Sequence, residues 1–177
     1  MRRILCIGSH PDDIELAMGG TVASMAARSY DVLLLDLSNG EPTPEGSVVR
    51  RMQEAAEAAH ILGAKRQTLT LPNRYIEDTI DNRFIVAAEI RAFRPDAIFA
   101  PYPVDAHPDH VAASALITAA RFYAKLSKTR LPHERHFASH LIYYFPVHLR
   151  LQLQPSFLND ISKFKEDRKS TRLNSSH

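Results

Sequence analysis

The sequence predicts a Rossmann-like α/β fold, a three-layer sandwich in which helices cover both faces of a mostly parallel sheet. Three observations predict it. Short apolar runs of strand length alternate with longer stretches that carry apolar residues at helical spacing. Several of the strand runs are apolar throughout, the pattern of strands buried on both faces. The β-α-β-α order recurs along 177 residues, a length that suits one domain with its own core.

The elements follow in order. Residues 3–9, "RILCIGS", read as the first strand and residues 15–29, "ELAMGGTVASMAARS", as the first helix. The pair Gly19 and Gly20 is poor for helix stability, so another segment is expected to pack closely on the helix backbone there. A second strand over 30–38, "YDVLLLDLS", leads through the turn-rich loop "NGEPTPEG" at 39–46 to a helix over 48–63, stopped by Gly63. A third strand is read at 66–71 and a third helix at 82–93, closed by Pro95. The fourth strand spans 96–102, the fourth helix 110–126 and the fifth strand 140–145.

Composition narrows the function classes. The 22 basic and 20 acidic residues give a formal charge of +2 and are spread along the chain, which favours a small soluble substrate over nucleic acid. Cys6 is the only cysteine, so no intramolecular disulfide exists, in keeping with a reducing compartment. Flanked by Leu5 and Ile7 within a strand, it reads as a buried neutral thiol and not a nucleophile. The apolar segment at 4–8 is too short for a signal or membrane span, and a cytoplasmic location without membrane partners is expected. Met18, Met25 and Met52 read as core filling.

Two phrases resist a structural explanation. "SHPDD" follows the first strand and "HPDH" the fourth, and the ligand crevice of such folds lies beyond the carboxyl ends of neighbouring strands one and four. Proline places His10 and His107 in extended turns and starts the next helix with acids. Asp could simply cap a helix and Pro mark its start, but two copies at matching strand ends argue for shared chemistry. Two imidazoles and one carboxylate are the protein ligands of a catalytic zinc site. His10, Asp13 and His110 are the expected ligands, with zinc as the cation and iron(II) as the alternative. Asp12 is then left to take a proton from water activated at the metal. His107 can stabilise an oxyanion or protonate a leaving amine, and Asp109 can hold its ring or support a ligand from outside. The chemistry indicated is amide hydrolysis.

These residues carry a likeness. "SHPDDIELAMGGT" with "HPDH" resembles the paired signature of the LmbE/PIG-L family of zinc-dependent N-acetylglucosaminyl deacetylases. "RRMQEAAEAAHILGA" resembles the family's Arg-x-x-Glu helix, and the likeness runs from about Arg3 to Glu166. "PSFLNDISKFKE" is most similar to the branch that deacetylates N-acetylglucosaminyl-malate in bacillithiol synthesis. The resemblance implies the same zinc ligands, Asp12 as base, His107 as assisting acid, and Arg51 in contact with an anionic or hydroxylated part of the substrate. Where relatives often place an acid that contacts sugar hydroxyls, this chain has Asn73, which can still hydrogen-bond. It also implies a homo-oligomer for the full-length protein.

The remaining residues receive plainer readings. His60, His133, His136, His140 and His148 are expected at the surface or in structural hydrogen bonds, with His148 alone positioned to reach the crevice. Residues 39–46 read most simply as a polar turn-rich loop, with ligand contact through Asn39 or Glu41 the lesser alternative. The final "RKSTRLNSSH" resembles translated sequencing-adapter sequence, so residues 1–167 are read as a deacetylase domain lacking its C-terminal part. Residues 168–177 are then a non-native tail, expected to be unpacked, with Leu173 outside any core. A nucleotide-binding oxidoreductase is disfavoured, because "GSHPDD" puts two carboxylates where a phosphate cradle would need glycines. A non-catalytic zinc-containing sugar-binding or sensor domain, or an inactive deacetylase fragment, is the alternative.

Overall fold

In the computed structural model, the described residues are 2–41, 47–145, 148–149 and 151–172. Five strands, β1 (Arg3–Gly8), β2 (Asp31–Asp36), β3 (Lys65–Thr68), β4 (Ala97–Pro101) and β5 (His140–Tyr144), form one sheet in the order β3-β2-β1-β4-β5. Every pairing is parallel, so the expectation of a mostly parallel sheet holds in its strongest form. The helices are α1 (Asp13–Ala27), α2 (Val48–Ile61), α3 (Ile80–Phe93), α4 (Pro108–Ala124) and α5 (Lys165–Arg172).

Alternation along β1 divides the core into two layers. Leu5 and Ile7 pack with Val86 and Ile90 of α3 and Leu116 and Ile117 of α4. Ile4 and Cys6 face the other way, onto Ile14, Met18 and Val22 of α1 and Leu62 after α2. Covering both faces is what allows β1, β2 and β4 to be apolar nearly throughout. Cys6 is fully buried and burial pushes its thiol far above the usual range, as expected of a packing residue.

The crowding expected at the glycine pair is found at Gly20. A Cβ there would lie 2.6 Å from Ile161 Cδ1 and 3.0 Å from Ile161 Cβ, so the chain before the 3-10 turn Ser162–Phe164 rests directly on the α1 backbone. Met18, with φ −142° and ψ 17°, breaks the regular helix shortly before it.

Several boundaries differ from expectation. Helices α1, α3 and α4 each begin two residues earlier than their apolar spacing suggests, and β3 ends at Thr68. The chain nevertheless keeps following β2, since Leu69 N donates to Asp36 O at 2.8 Å and Leu71 N to Leu37 O at 3.0 Å. The larger correction concerns the tail. Residues 168–172 are helical within α5, which packs against α1 and α2 with Thr171 buried, so the unpacked state expected from residue 168 does not hold there. Leu173 and the rest of that segment lie outside the described residues, as do residues 42–46 of the turn-rich loop. Among the described residues no helix is long and apolar enough to cross a membrane.

Candidate active site and metal centre

Strands β1 and β4 lie side by side, and each ends in one of the two His-Pro-Asp phrases. The first phrase folds back over its own strand. A Cβ on Gly8 would sit 3.2 Å from both Asp13 Cβ and Ile14 Cγ1, so a side chain would crowd this return. Ser9 Oγ then donates to Asp109 O at 3.3 Å, tying the two phrases together, while Ser38 Oγ donates to Ser9 O at 3.0 Å from the end of β2. His107 is the extended N-cap of α4, its Nδ1 accepts from Asp109 N at 3.2 Å, and Pro108 opens the helix.

Asp13 is the meeting point. Its Oδ2 accepts from Ser9 N and His10 N, each at 3.0 Å, and lies 3.5 Å from His10 Nδ1. Its Oδ1 lies 3.2 Å from His110 Nε2. One donor atom each from His10, Asp13 and His110 falls within 4.8 Å of the others, so the structure brings together the three residues expected to bind metal. His110 Nε2 is buried, makes no hydrogen bond and lies 3.2 Å from Asp13 Oδ1, so it is the nitrogen that a neutral His110 ring would offer a cation. The set of two imidazole nitrogens and one carboxylate oxygen fits zinc or iron(II). Two overlapping groups, His10–His107–Asp109 and Asp105–His110–His148, are also compact. Their carboxylates, however, are already engaged: Asp109 accepts from Arg74 N at 2.7 Å, and Asp105 meets His110 Nδ1 at 2.7 Å.

The electrostatics draw positive charge to the same place. Burial alone would raise the Asp13 carboxyl, but His10 and His110 hold it well below the usual carboxylate range. Burial opposes a charged His110, yet Asp13 and Asp105 outweigh it and lift the ring to about 9. His10 is raised in the same way, with Asp13 and Asp109 prevailing over burial. His107 moves below its usual value through burial and the neighbouring His110 and His10. Protons gather on the two rings beside Asp13, where a metal would compete for the same lone pairs.

Asp12 is held differently. Its backbone has φ 110° and ψ −25°, a conformation that costs a non-glycine residue roughly 1–3 kcal/mol. Its side chain makes no helix cap, so the simple capping account fails for this acid. Arg51 reaches over from α2 and donates through Nη2 to Pro11 O at 3.1 Å and to Asp12 Oδ2 at 3.4 Å, while its Nε is buried without a hydrogen bond. Burial, reinforced by the charge of Asp13, pushes Asp12 up to about 7 against the pull of Arg51.

The other expected residues divide. The His107 ring stacks on His110 at 4.7 Å and lies 4.9 Å from His10, inside the cluster. His148 also belongs to the crevice, its ring 5.1 Å from that of His110. Asn73 is half-buried in a turn closed by Tyr75 N donating to Pro72 O at 3.1 Å, and the next residue, Arg74, donates its N–H to Asp109. Asn39 forms a local turn, its Oδ1 accepting from Glu41 N at 3.0 Å. Of the two readings given for Asp109, the geometry matches the second: its carboxylate meets His10 Nε2 at 3.0 Å, and only its backbone N–H reaches the His107 ring. Asp105 was missed by sequence reasoning. The available signal was an acid placed five residues before His110 in "DAHPDH".

A model of the family described as PIG-L, GlcNAc-PI de-N-acetylase, matches residues 5–121. The diacetylchitobiose deacetylase of Thermococcus kodakarensis is 32% identical over 137 residues, covering 71% of this chain and 51% of that protein. A 1D-myo-inositol 2-acetamido-2-deoxy-alpha-D-glucopyranoside deacetylase of Rhodococcus opacus is 32% identical over 157 residues, covering 67% and 53% respectively. The chain thus spans about half the length of these curated relatives. Among solved structures, the conserved protein TT1542 from Thermus thermophilus superposes with a TM-score of 0.92 at 38% identity, over 98% of this chain and 78% of that one.

Proposed function

Because this chain belongs to the PIG-L, GlcNAc-PI de-N-acetylase, family, we propose that it hydrolyses the N-acetyl group of a small N-acetylglucosamine conjugate, releasing acetate and a free amine. The observation that carries the reading is the convergence of His10 and His110, from phrases about a hundred residues apart, on the two oxygens of Asp13. Both relatives described above are sugar deacetylases by name, which supports the substrate class.

His10 Nδ1, an Asp13 oxygen and His110 Nε2 would hold the cation, zinc or iron(II). Bound there, it would polarise the amide carbonyl and acidify a water. Asp12 would take the proton from the attacking water as its oxygen adds to the carbonyl carbon. When the C–N bond breaks, the electron pair goes to nitrogen, and the amine leaves with the proton that Asp12 took from the water. In the neutral ring of His107, Nδ1 accepts from Asp109 N, so the proton sits on Nε2, available to the growing negative charge on the carbonyl oxygen. Asp109 holds His10 through Nε2 and leaves Nδ1 turned to Asp13.

Arg51 and Asn73 contact the substrate in this reading. The unpaired, buried Nε of Arg51 supports a hydrogen bond to an anionic or hydroxylated group, and Asn73 offers an uncharged partner to a sugar hydroxyl. N-acetylglucosaminyl-malate, whose malate carboxylates would suit Arg51, is the conjugate proposed. The protein would work without a membrane or nucleic-acid partner, in the cytoplasm, and as a homo-oligomer.

Release of free amine from a panel of N-acetylglucosamine conjugates, measured on protein of known metal content, tests the reading. Amine release that depends on bound zinc or iron(II), greatest for the malate conjugate, is expected. No amine from any conjugate with the metal loaded would overturn the deacetylase assignment, and preference for a neutral disaccharide would overturn only the malate choice.

A further inference from the structure

Resting on the metal-centre reading above, we infer that Asp105 is a positioning residue that fixes the tautomer of His110 and thereby sets the affinity for the cation. The Asp105 side chain is fully buried and both its oxygens are used. Oδ1 accepts from His107 N at 3.1 Å, and Oδ2 lies 2.7 Å from His110 Nδ1. A carboxylate can only accept, so the neutral His110 ring must carry its proton on Nδ1. Nε2 is then a bare lone pair, and it is this atom that is buried without a hydrogen bond, 3.2 Å from Asp13 Oδ1. In the opposite tautomer Nε2–H would donate toward Asp13 and block the position a metal needs.

The arrangement mirrors that at His10, where Asp109 sits at Nε2 and leaves Nδ1 facing Asp13. The two carboxylates differ in what else they hold. Asp109 also accepts from Arg74 N and Ile76 N, at 2.7 and 3.4 Å, so its loss would disturb a distant turn as well. Among the described residues, the hydrogen bonds of Asp105 stay within its own loop and helix start, which makes it the cleaner place to test the principle.

The substitution Asp105→Asn separates tautomer control from mere packing. The carboxamide is nearly isosteric, but it has one acceptor and one donor end. The backbone N–H of His107 can only donate, so it holds the amide oxygen and turns the NH2 group toward His110 Nδ1. That favours the proton on Nε2, the wrong nitrogen for metal binding. Asp105→Ala leaves the ring free to adopt either tautomer. A packing role predicts that the isosteric carboxamide is milder than alanine; tautomer control predicts the reverse.

The experiment is zinc competition against a chelator for the wild type and both variants, with circular dichroism to verify the fold. Loss of an outer partner of this kind should raise the zinc dissociation constant about 10–100-fold for Asp105→Ala, and further for Asp105→Asn. Equal affinities across the three, or carboxamide binding tighter than alanine, would overturn the inference while leaving the metal centre intact. Failure of the wild type to bind zinc at all would overturn both. Should neither variant fold, 15N spectra of the zinc-loaded wild type decide instead: a His110 proton on Nδ1 supports the inference, and one on Nε2 overturns it.

Discussion

Replacing Arg66 by Met removes the cation from a buried acid pair beneath the first turn of α1. The guanidinium donates through Nε and Nη2 to the two oxygens of Asp36, both at 2.7 Å, through Nη1 to Glu15, and to Ala55 O at 3.3 Å. The Asp36 side chain is 0% exposed and that of Glu15 4%, so neither can recover its hydration when Arg66 is lost. Breaking such a pair costs about 3–5 kcal/mol, which in a chain of this size lowers the midpoint of thermal unfolding by about 6–20 °C. The loss should depend on pH. Burial pushes the folded Asp36 up to about 6 from 3.8 even with Arg66 opposing it. A folded value above the unfolded one gives a contribution that is present below the unfolded value and lost as pH rises through the folded value. Without Arg66 the folded value climbs further, so the deficit of the variant should widen from pH 5 to pH 8, by up to about 1.4 kcal/mol per pH unit per proton. Urea unfolding of both proteins at the two pH values is the assay. A deficit under about 1 kcal/mol at pH 8, or one that shrinks as pH rises, would refute the reasoning.

Further outcomes follow from the same geometry. Asp12→Asn should keep bound metal while amine release falls by about 10²–10⁴-fold, since a base is lost and the expected ligands stay; parallel loss of metal would contradict the division of labour between Asp12 and Asp13. His107→Ala should retain metal and lose turnover, and undiminished amine release would remove His107 from the chemistry. Gly20→Val should cost about 1–3 kcal/mol, because its Cβ meets Ile161 Cβ at 3.0 Å as well as the mobile Cδ1 tip. An unchanged unfolding midpoint would show that the segment before the 3-10 turn is free to move away.

What the sequence disclosed and what it hid have separate physical causes. The strands were legible because burial on both faces leaves runs such as Val32–Leu35 without a polar residue, a signal contained in a few neighbouring positions. The candidate metal ligands were legible for a similar reason: each phrase compresses imidazole, proline and acid into four positions, and the fold class alone places the two phrases side by side. The partners of those residues were not. Asp109 takes N–H bonds from Arg74 and Ile76, 35 and 33 residues away, through a turn whose place over the site depends on tertiary packing. Asp105 is close in sequence to His110, but an acid in a loop has many partners to choose from, and only the start of α4 decides which ring it meets. Arg66 looked like an ordinary strand residue because Glu15 and Asp36 come to it from 51 and 30 positions away. Helix α5, "KEDRKSTR", has no apolar stripe to read, and its order comes from contact with α1 and α2.

The most direct measurement is the zinc stoichiometry of the purified chain beside that of its Asp13→Asn and His110→Ala variants, by equilibrium dialysis and elemental analysis. One equivalent in the native protein and its loss in each variant is the predicted result. Undiminished zinc in both variants would mean that the two His-Pro-Asp phrases meet at Asp13 for some purpose other than holding a metal.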